Sequence, residues 1–216
     1  MAVEVKICGL TRAVDAELAD AAGATYLGVI FAGGPRQRSP AEARATLAGR
    51  RAHKVGVFSA QSGAEISDIA GEVGLDVVQL HGEPDAARVL AVRAATGLQV
   101  WAVVRTADGI LPDATGEIAD AADALLIDTL VAGRLGGSGV ALPWGVLGES
   151  LDAMESAHRI VLAGGLTADN VAEAISYVSP TVVDVSSGVE SAPGLKDHAR
   201  IRAFIAAVRA ASDLSD

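Results

Sequence analysis

Ile160-Val161-Leu162-Ala163-Gly164-Gly165-Leu166 and Val182-Val183-Asp184-Val185-Ser186-Ser187-Gly188 decide how this chain is read. Each is an apolar, β-branched run that closes on small residues, and about twenty residues separate them, the length of one βα unit. A strand that ends in glycine or serine and feeds a helix lets bare backbone N–H groups approach an anion. Two such turns on successive strands form a phosphate cradle from Gly164, Gly165, Ser186, Ser187 and Gly188, with Gly137 of the Gly136-Gly137-Ser138-Gly139 loop as a further member. In an eight-stranded α/β barrel that cradle follows strands seven and eight.

Upstream of the two motifs the same alternation recurs. Strand-like runs at Val3–Cys8, Tyr26–Ile30, His53–Phe58, Val77–Leu80, Val100–Val104, Ala124–Asp128, Arg159–Ala163 and Val182–Val185 are each followed by a helix-like stretch. The helix after the second run opens with Ser39-Pro40, an N-cap followed by proline at the first helical position. The fifth stretch, near Gly116–Ala121, is weak, and the seventh is expected over Ala168–Ile175. Strict βα alternation implies a parallel sheet, either open and doubly wound or closed. An open dinucleotide-binding sheet needs G-x-G-x-x-G after its first strand. The first strand here ends Lys6-Ile7-Cys8-Gly9-Leu10-Thr11, and the glycine pairs come late. The expectation is therefore a single (β/α)8 TIM barrel spanning residues 1–216 as one domain, with a frayed tail from about Ala211.

At 216 residues the chain is near the lower limit for such a barrel, and half of its residues are apolar. Aromatics are 3%, so Val, Ile, Leu and Ala must build the core, as suits parallel strands covered on both faces. The net charge of −10 argues against nucleic acid or an anionic membrane as partner. It also means that any anionic substrate must be captured by local donors. Cys8 is the one cysteine, which rules out an internal disulfide and points to a reducing, cytoplasmic setting. The start of the chain lacks the pattern of a signal peptide, and no apolar run approaches a membrane span.

Catalytic groups of such barrels sit at the C-terminal ends of strands. Those positions are Cys8, the loops holding Arg36 and Ser59, Gln79 and His81, Arg105, Asp128, the Gly164-Gly165 pair and Ser186-Ser187. Alternation along a strand points Lys6 and Cys8 to one face, and Asp184 and Ser186 share an inward parity. In a closed barrel strands one and eight are neighbours, so a Lys6–Asp184 ion pair is expected beneath the site, because a buried lysine needs a partner. His81 serves either the site or loop packing, and Trp101 and Trp144 are expected to pack rather than stack on a ligand.

An ordered set of short motifs resembles the phosphoribosylanthranilate isomerase family. It comprises Lys6-Ile7-Cys8-Gly9, Gln79-Leu80-His81-Gly82, Leu126-Ile127-Asp128, Gly136-Gly137-Ser138-Gly139, Ala163-Gly164-Gly165-Leu166 with Asn170-Val171, Asp184-Val185-Ser186-Ser187-Gly188-Val189-Glu190, Pro193-Gly194 and Lys196-Asp197. The resemblance implies a (β/α)8 barrel of tryptophan biosynthesis that performs an Amadori rearrangement of N-(5-phosphoribosyl)anthranilate without metal or organic cofactor. It implies Cys8 as general base, Asp128 as general acid and Arg36 as the grip on the anthranilate carboxylate. Asp128 ends the run Ala124-Leu125-Leu126-Ile127, where desolvation is expected to keep a proton available. Two departures from the family stand out. Phe31-Ala32-Gly33-Gly34-Pro35-Arg36-Gln37-Arg38 is one residue shorter than the usual loop, which makes Arg38 a rival to Arg36, and Leu142-Pro143-Trp144 replaces Phe-Asp-Trp. The partner expected is a small phosphorylated molecule, and the chain is expected as a monomer or homodimer.

Three other families or roles fit the sequence less well. The histidine-pathway sugar isomerase, or a dual-substrate relative, resembles a doubled half-barrel with a phosphate motif in each half. Phe58-Ser59-Ala60-Gln61 and Leu80-His81-Gly82-Glu83 lack a second cradle, and Cys8 stands where that enzyme has aspartate. Indole-glycerol-phosphate synthase would need a catalytic lysine at the barrel mouth, for which Lys6 and Lys54 are poor candidates. A non-catalytic sugar-phosphate-binding barrel would have no use for both Cys8 and Asp128.

Overall fold

The computed structural model describes residues 2–129, 143–154 and 158–213. Eight parallel strands close into a barrel in sequential order: β1 (Glu4–Ile7), β2 (Tyr26–Ile30), β3 (His53–Phe58), β4 (Val77–Leu80), β5 (Gln99–Thr106), β6 (Ala124–Thr129), β7 (Ile160–Leu162) and β8 (Val182–Val185), with β8 returning to β1. The helices between and after them are α1 (Ala13–Ala22), α2 (Pro40–Leu47), α3 (Gly63–Val73), α4 (Ala86–Thr96), α5 (Thr115–Ala121), α6 (Trp144–Asp152), α7 (Val171–Val178) and α8 (His198–Asp213). The closed barrel decides between the two parallel arrangements that alternation allowed.

Alternation along each strand sorts the side chains into two layers. Tyr26, Val55, Val77, Trp101, Val103, Leu126, Val161 and Val182 fill the barrel interior. Their neighbours, such as Leu27, Val78, Ala102, Leu125 and Val183, face outward and pack in the shell that includes Ile66, Val89, Leu147 and Phe204 of the helices. Trp101 and Trp144 are both buried, as expected. The N-terminal end of the barrel is plugged. Arg159 donates to Tyr26 Oη at 2.6 Å and to Glu4, and its guanidinium lies over the Tyr26 and Trp101 rings.

Helix starts follow their caps. Ser39 with Glu42 and Ser62 with Glu65 form capping boxes at α2 and α3. Pro143 stands at the N-cap of α6 and provides no side-chain cap. The helix expected from Ala168 begins at Val171 instead. Asn170 Oδ1 accepts from Thr167 N at 2.8 Å and its amide donates to Gly165 O at 3.0 Å, so these residues form a turn before the helix starts. The tail expected to fray from Ala211 is helical to Asp213. Ser212 Oγ accepts from Val3 N at 3.1 Å and ties the end of α8 to the start of the chain.

Between β8 and α8 the sequence pattern predicts no element. A one-turn 3-10 helix over Ser187–Val189 leads into an antiparallel hairpin, β9 (Glu190–Ala192) and β10 (Leu195–Lys196), turned at Pro193-Gly194. Strands this short carry no readable period. Among the described residues no helix is long and apolar enough to cross a membrane.

Candidate active site

With the opposite end plugged, the open cavity lies where strand C-termini meet the βα loops. It has a volume of about 450 Å³, a size suited to a small organic ligand. Cys8 from the end of β1, Arg36 from the β2 loop, Gln79 and His81 from β4, Asp128 from β6, Gly165 after β7, and Asp184, Ser186, Ser187 and Gly188 from β8 all line it. Cys8 and Asp128 therefore face one space, although the chain carries them 120 residues apart (128 − 8).

Beneath this cavity lies the expected ion pair. Lys6 Nζ donates to Asp184 Oδ2 at 2.7 Å, Lys6 is fully buried, and the two residues are register partners across β1 and β8. Burial alone would lower the Lys6 ammonium, but the charges of Asp184 and Cys8 outweigh it and hold the group above its ordinary value. For the Cys8 thiol, burial pushes up, the Lys6 ammonium pulls down and Asp184 pushes up again, with a net rise. Burial thus favours the protonated thiol in the resting site, and an added positive charge nearby favours its release.

At the β7 and β8 ends the two small-residue turns pack against each other. A Cβ at Gly188 would stand 2.0 Å from Leu166 O, so only glycine lets the backbones approach this closely. Gly164 and Gly165 both have positive φ, +88° and +66°, in the turn that Asn170 secures. Gly165 reaches the cavity wall, whereas Gly164 shapes the turn without lining the wall. Gly137 lies outside the described residues. Gln79 Oε1, Asp184 Oδ1 and Ser186 Oγ are buried and make no hydrogen bond among the described residues. Buried acceptors left unpaired are costly, so a wall carrying three of them suits a polar ligand.

The two rival arginines are separated by geometry. Arg36 lines the cavity, while Arg38 turns away, within 3.4 Å of Glu42 and 3.5 Å of Pro35 O. The Arg36 side chain is itself engaged: Nε and Nη2 donate to Glu190 Oε1 and Oε2 at 2.8 and 2.7 Å. Arg105 and Ser59, expected in the polar ring, are not on the wall. The Arg105 guanidinium turns back to His81 O at 2.9 Å, and Ser59 O accepts from Arg88 at 2.7 Å, so both organise neighbouring loops. Glu190 and Lys196 lie in short motifs whose sequence alone assigns them no role. Nothing in the sequence pairs Glu190 with an arginine 154 residues away (190 − 36). Among the described residues no group of three or more His, Cys, Asp or Glu is placed to hold a metal ion.

A closed eight-stranded α/β barrel whose C-terminal mouth sets a thiol, a carboxyl and an arginine around a glycine-serine cradle defines the class: a barrel enzyme acting on a small anionic substrate. Comparison with known proteins narrows it. The family model described as N-(5'phosphoribosyl)anthranilate (PRA) isomerase matches residues 5–207. The N-(5'-phosphoribosyl)anthranilate isomerase of Paracoccus denitrificans (strain Pd 1222) is 46% identical over 213 residues, covering 95% of this chain and 97% of the relative. The solved phosphoribosyl anthranilate isomerase of Thermotoga maritima superimposes with a TM-score of 0.87 at 32% identity, covering 96% and 99% of the two chains. A solved isomerase in complex with reduced 1-(o-carboxyphenylamino)-1-deoxyribulose 5-phosphate gives a TM-score of 0.83 at 32% identity, covering 96% and 99%. The chain belongs to the phosphoribosylanthranilate isomerase family.

Proposed function

We propose that this chain converts N-(5-phosphoribosyl)anthranilate into 1-(2-carboxyphenylamino)-1-deoxyribulose 5-phosphate, the isomerisation step of tryptophan biosynthesis, with Asp128 as general acid and Cys8 as general base. The observation that carries the reading is that Cys8 and Asp128 open on one cavity between the phosphate turns and Arg36. Asp128 gives its proton to the furanose ring oxygen as the C1–O bond breaks, leaving an iminium at C1. Cys8 then removes the proton from C2, the C–H electrons form the enolamine, and tautomerisation gives the ketose. The new iminium supplies the positive charge that the resting thiol lacks, and it acts in the same direction as Lys6. The phosphate rests on Gly165, Ser186, Ser187 and Gly188, with Gly164 shaping the turn and Gly137 completing the cradle. Asp184 and His81 meet the sugar hydroxyls, and Arg36 receives the anthranilate carboxylate.

The ends of β3 and β4 lack a second Gly-Gly or Ser-Gly cradle. Arg88 donates to both Ser59 O and Gln61 O, and a Cβ at Gly82 would stand 3.1 Å from Ser59 O, so these loops are tied to each other. One domain carries the whole site, and we place it in the cytoplasm as a monomer or homodimer.

Substrate fluorescence tests the reading. Emission of phosphoribosylanthranilate decays on mixing with the protein, and Cys8→Ser and Asp128→Asn each slow that decay by roughly 10²- to 10⁴-fold, the range of a general acid or base. An unchanged rate in Cys8→Ser removes the thiol from the mechanism. Binding with no decay in the parent protein would instead indicate the non-catalytic barrel.

A further inference from the structure

The hairpin between β8 and α8 lies outside the barrel and lines no part of the cavity, yet it is heavily tied down. Its strands pair Lys196 with Glu190, and both side chains are buried. Glu190 accepts three donors. Arg36 Nε and Nη2 form a fork on its two oxygens, and Lys196 Nζ reaches Oε1 at 2.9 Å. The same Lys196 Nζ also donates to Ser186 O at 2.9 Å, the carbonyl of the turn after β8. Gly9 shows how close these pieces lie. A Cβ there would stand 2.7 Å from Arg36 Cδ and 2.8 Å from Ser186 Oγ.

A guanidinium has five N–H donors on a rigid plane. With Nε and one Nη2 hydrogen given to Glu190, the edge formed by Nη1 and the other Nη2 hydrogen remains for a ligand, still a two-pronged match to a carboxylate. We propose that Glu190 is a positioning residue that locks the two anion-binding ends of the cavity into one frame: directly it fixes Arg36 for the substrate's carboxylate, and through Lys196 it fixes the Ser186 turn for the substrate's phosphate. This rests on the assignment of those two ends made above. Glu190 itself is not among the residues that line the cavity. Its charge balances two cations that would otherwise repel each other beside the mouth. The span between the carboxylate and phosphate sites is thereby set by one side chain rather than by two independent loops.

Glu190→Gln removes the charge and the second fork oxygen. Two half-substrates read the two ends separately as competitive inhibitors: N-methylanthranilate carries the aromatic acid without phosphate, and ribulose 5-phosphate carries the phosphate without the aromatic acid. Glu190→Gln is expected to weaken both by roughly 10- to 100-fold, the worth of a charge-assisted hydrogen bond, and to raise KM by a similar factor with kcat within about threefold. Arg36→Met weakens only the aromatic probe, and Lys196→Met only the phosphate probe. Circular dichroism and melting establish folding. If Glu190→Gln does not fold, Glu190→Asp, which keeps the charge at shorter reach, is expected to show the same double weakening. Loss at one end alone, or a fall in kcat with both probes unaffected, overturns the proposal. If the parent protein fails to turn over phosphoribosylanthranilate while the probes behave as stated, the assigned reaction fails and the positioning role stands. Normal turnover with unaltered probe binding in the variant removes the positioning role alone.

Discussion

Replacing Lys6 with methionine isolates the buried charge beneath the site. Methionine keeps an unbranched stem of similar reach and removes the ammonium that lies 2.7 Å from Asp184 Oδ2. The surroundings have no slack to absorb the change. A Cβ at position 28 would stand 3.3 Å from Lys6 Cε and 3.0 Å from Cys8 Sγ. Asp184 is left as a buried carboxylate whose other oxygen, Oδ1, already makes no hydrogen bond among the described residues. Breaking a buried pair on one side costs about 3–5 kcal/mol, against a total stability of about 5–15 kcal/mol. For a chain of this size each kcal/mol moves the melting midpoint by about 2–4 °C, so Lys6→Met is expected to melt roughly 6–20 °C lower. Turnover falls as well, because the cation that pulls the Cys8 thiol down is gone. Lys6→Met/Asp184→Leu removes both charges. A buried pair exchanged for apolar residues is close to neutral, so the double variant recovers most of the stability and none of the activity. The sign of the pH dependence follows from the raised Lys6 group. Its contribution is complete below the unfolded value of 10.5 and is lost as pH rises through the folded one, so the parent protein shows an alkaline loss that Lys6→Met lacks. Urea and thermal denaturation of the three proteins test this. A single variant within about 1 kcal/mol of the parent, or a double variant no more stable than the single, refutes the reasoning.

Gly188→Ala drives a methyl toward Leu166 O, a backbone atom that cannot swing aside, and is expected to cost about 1–3 kcal/mol and to raise KM for the phosphorylated substrate more than it lowers kcat. Steady-state kinetics at both temperature extremes of the folded range would expose a normal KM if the two turns do not hold the phosphate. Pro143→Asp supplies the missing side-chain cap of α6 and should add about 0.5–2 kcal/mol, read as a higher melting midpoint. An unchanged or lower midpoint means that the proline's rigidity outweighs the cap. Asp15 is buried against the Arg12 fork and His198; burial pushes its carboxyl up, but those bonds hold it below its ordinary value of 3.8. Its contribution is present above 3.8 and is lost as pH falls through the folded value, so Asp15→Asn is less stable at pH 7 and loses less between pH 7 and pH 3 in urea titrations.

The architecture was legible in the amino-acid order alone, because the information it needs is local and repeated. Strand runs of Val, Ile and Leu, a cap such as Ser39, and the order of small-residue turns are all contained in short windows. Where the window was too small, the reading slipped. Asn170 delayed α7 by binding backward to Gly165 O, and strands of three and two residues formed a hairpin with no period to announce it. Parity along β1 and β8, together with closure, was enough to pair Lys6 with Asp184, since strand neighbours in a barrel are fixed by order.

Which charged loop residues meet was fixed by the closed fold and not by any local pattern. Arg36 and Arg38 are two positions apart in one loop, yet Arg36 faces the cavity and pairs with Glu190 of a hairpin at the far end of the chain, while Arg38 turns outward to Glu42. Arg105 looked like a site residue by strand position, yet its long side chain bent back to His81 O. A strand's direction follows from steric rules that every residue obeys, whereas the resting place of an arginine on a loop depends on partners brought near only when the barrel closes.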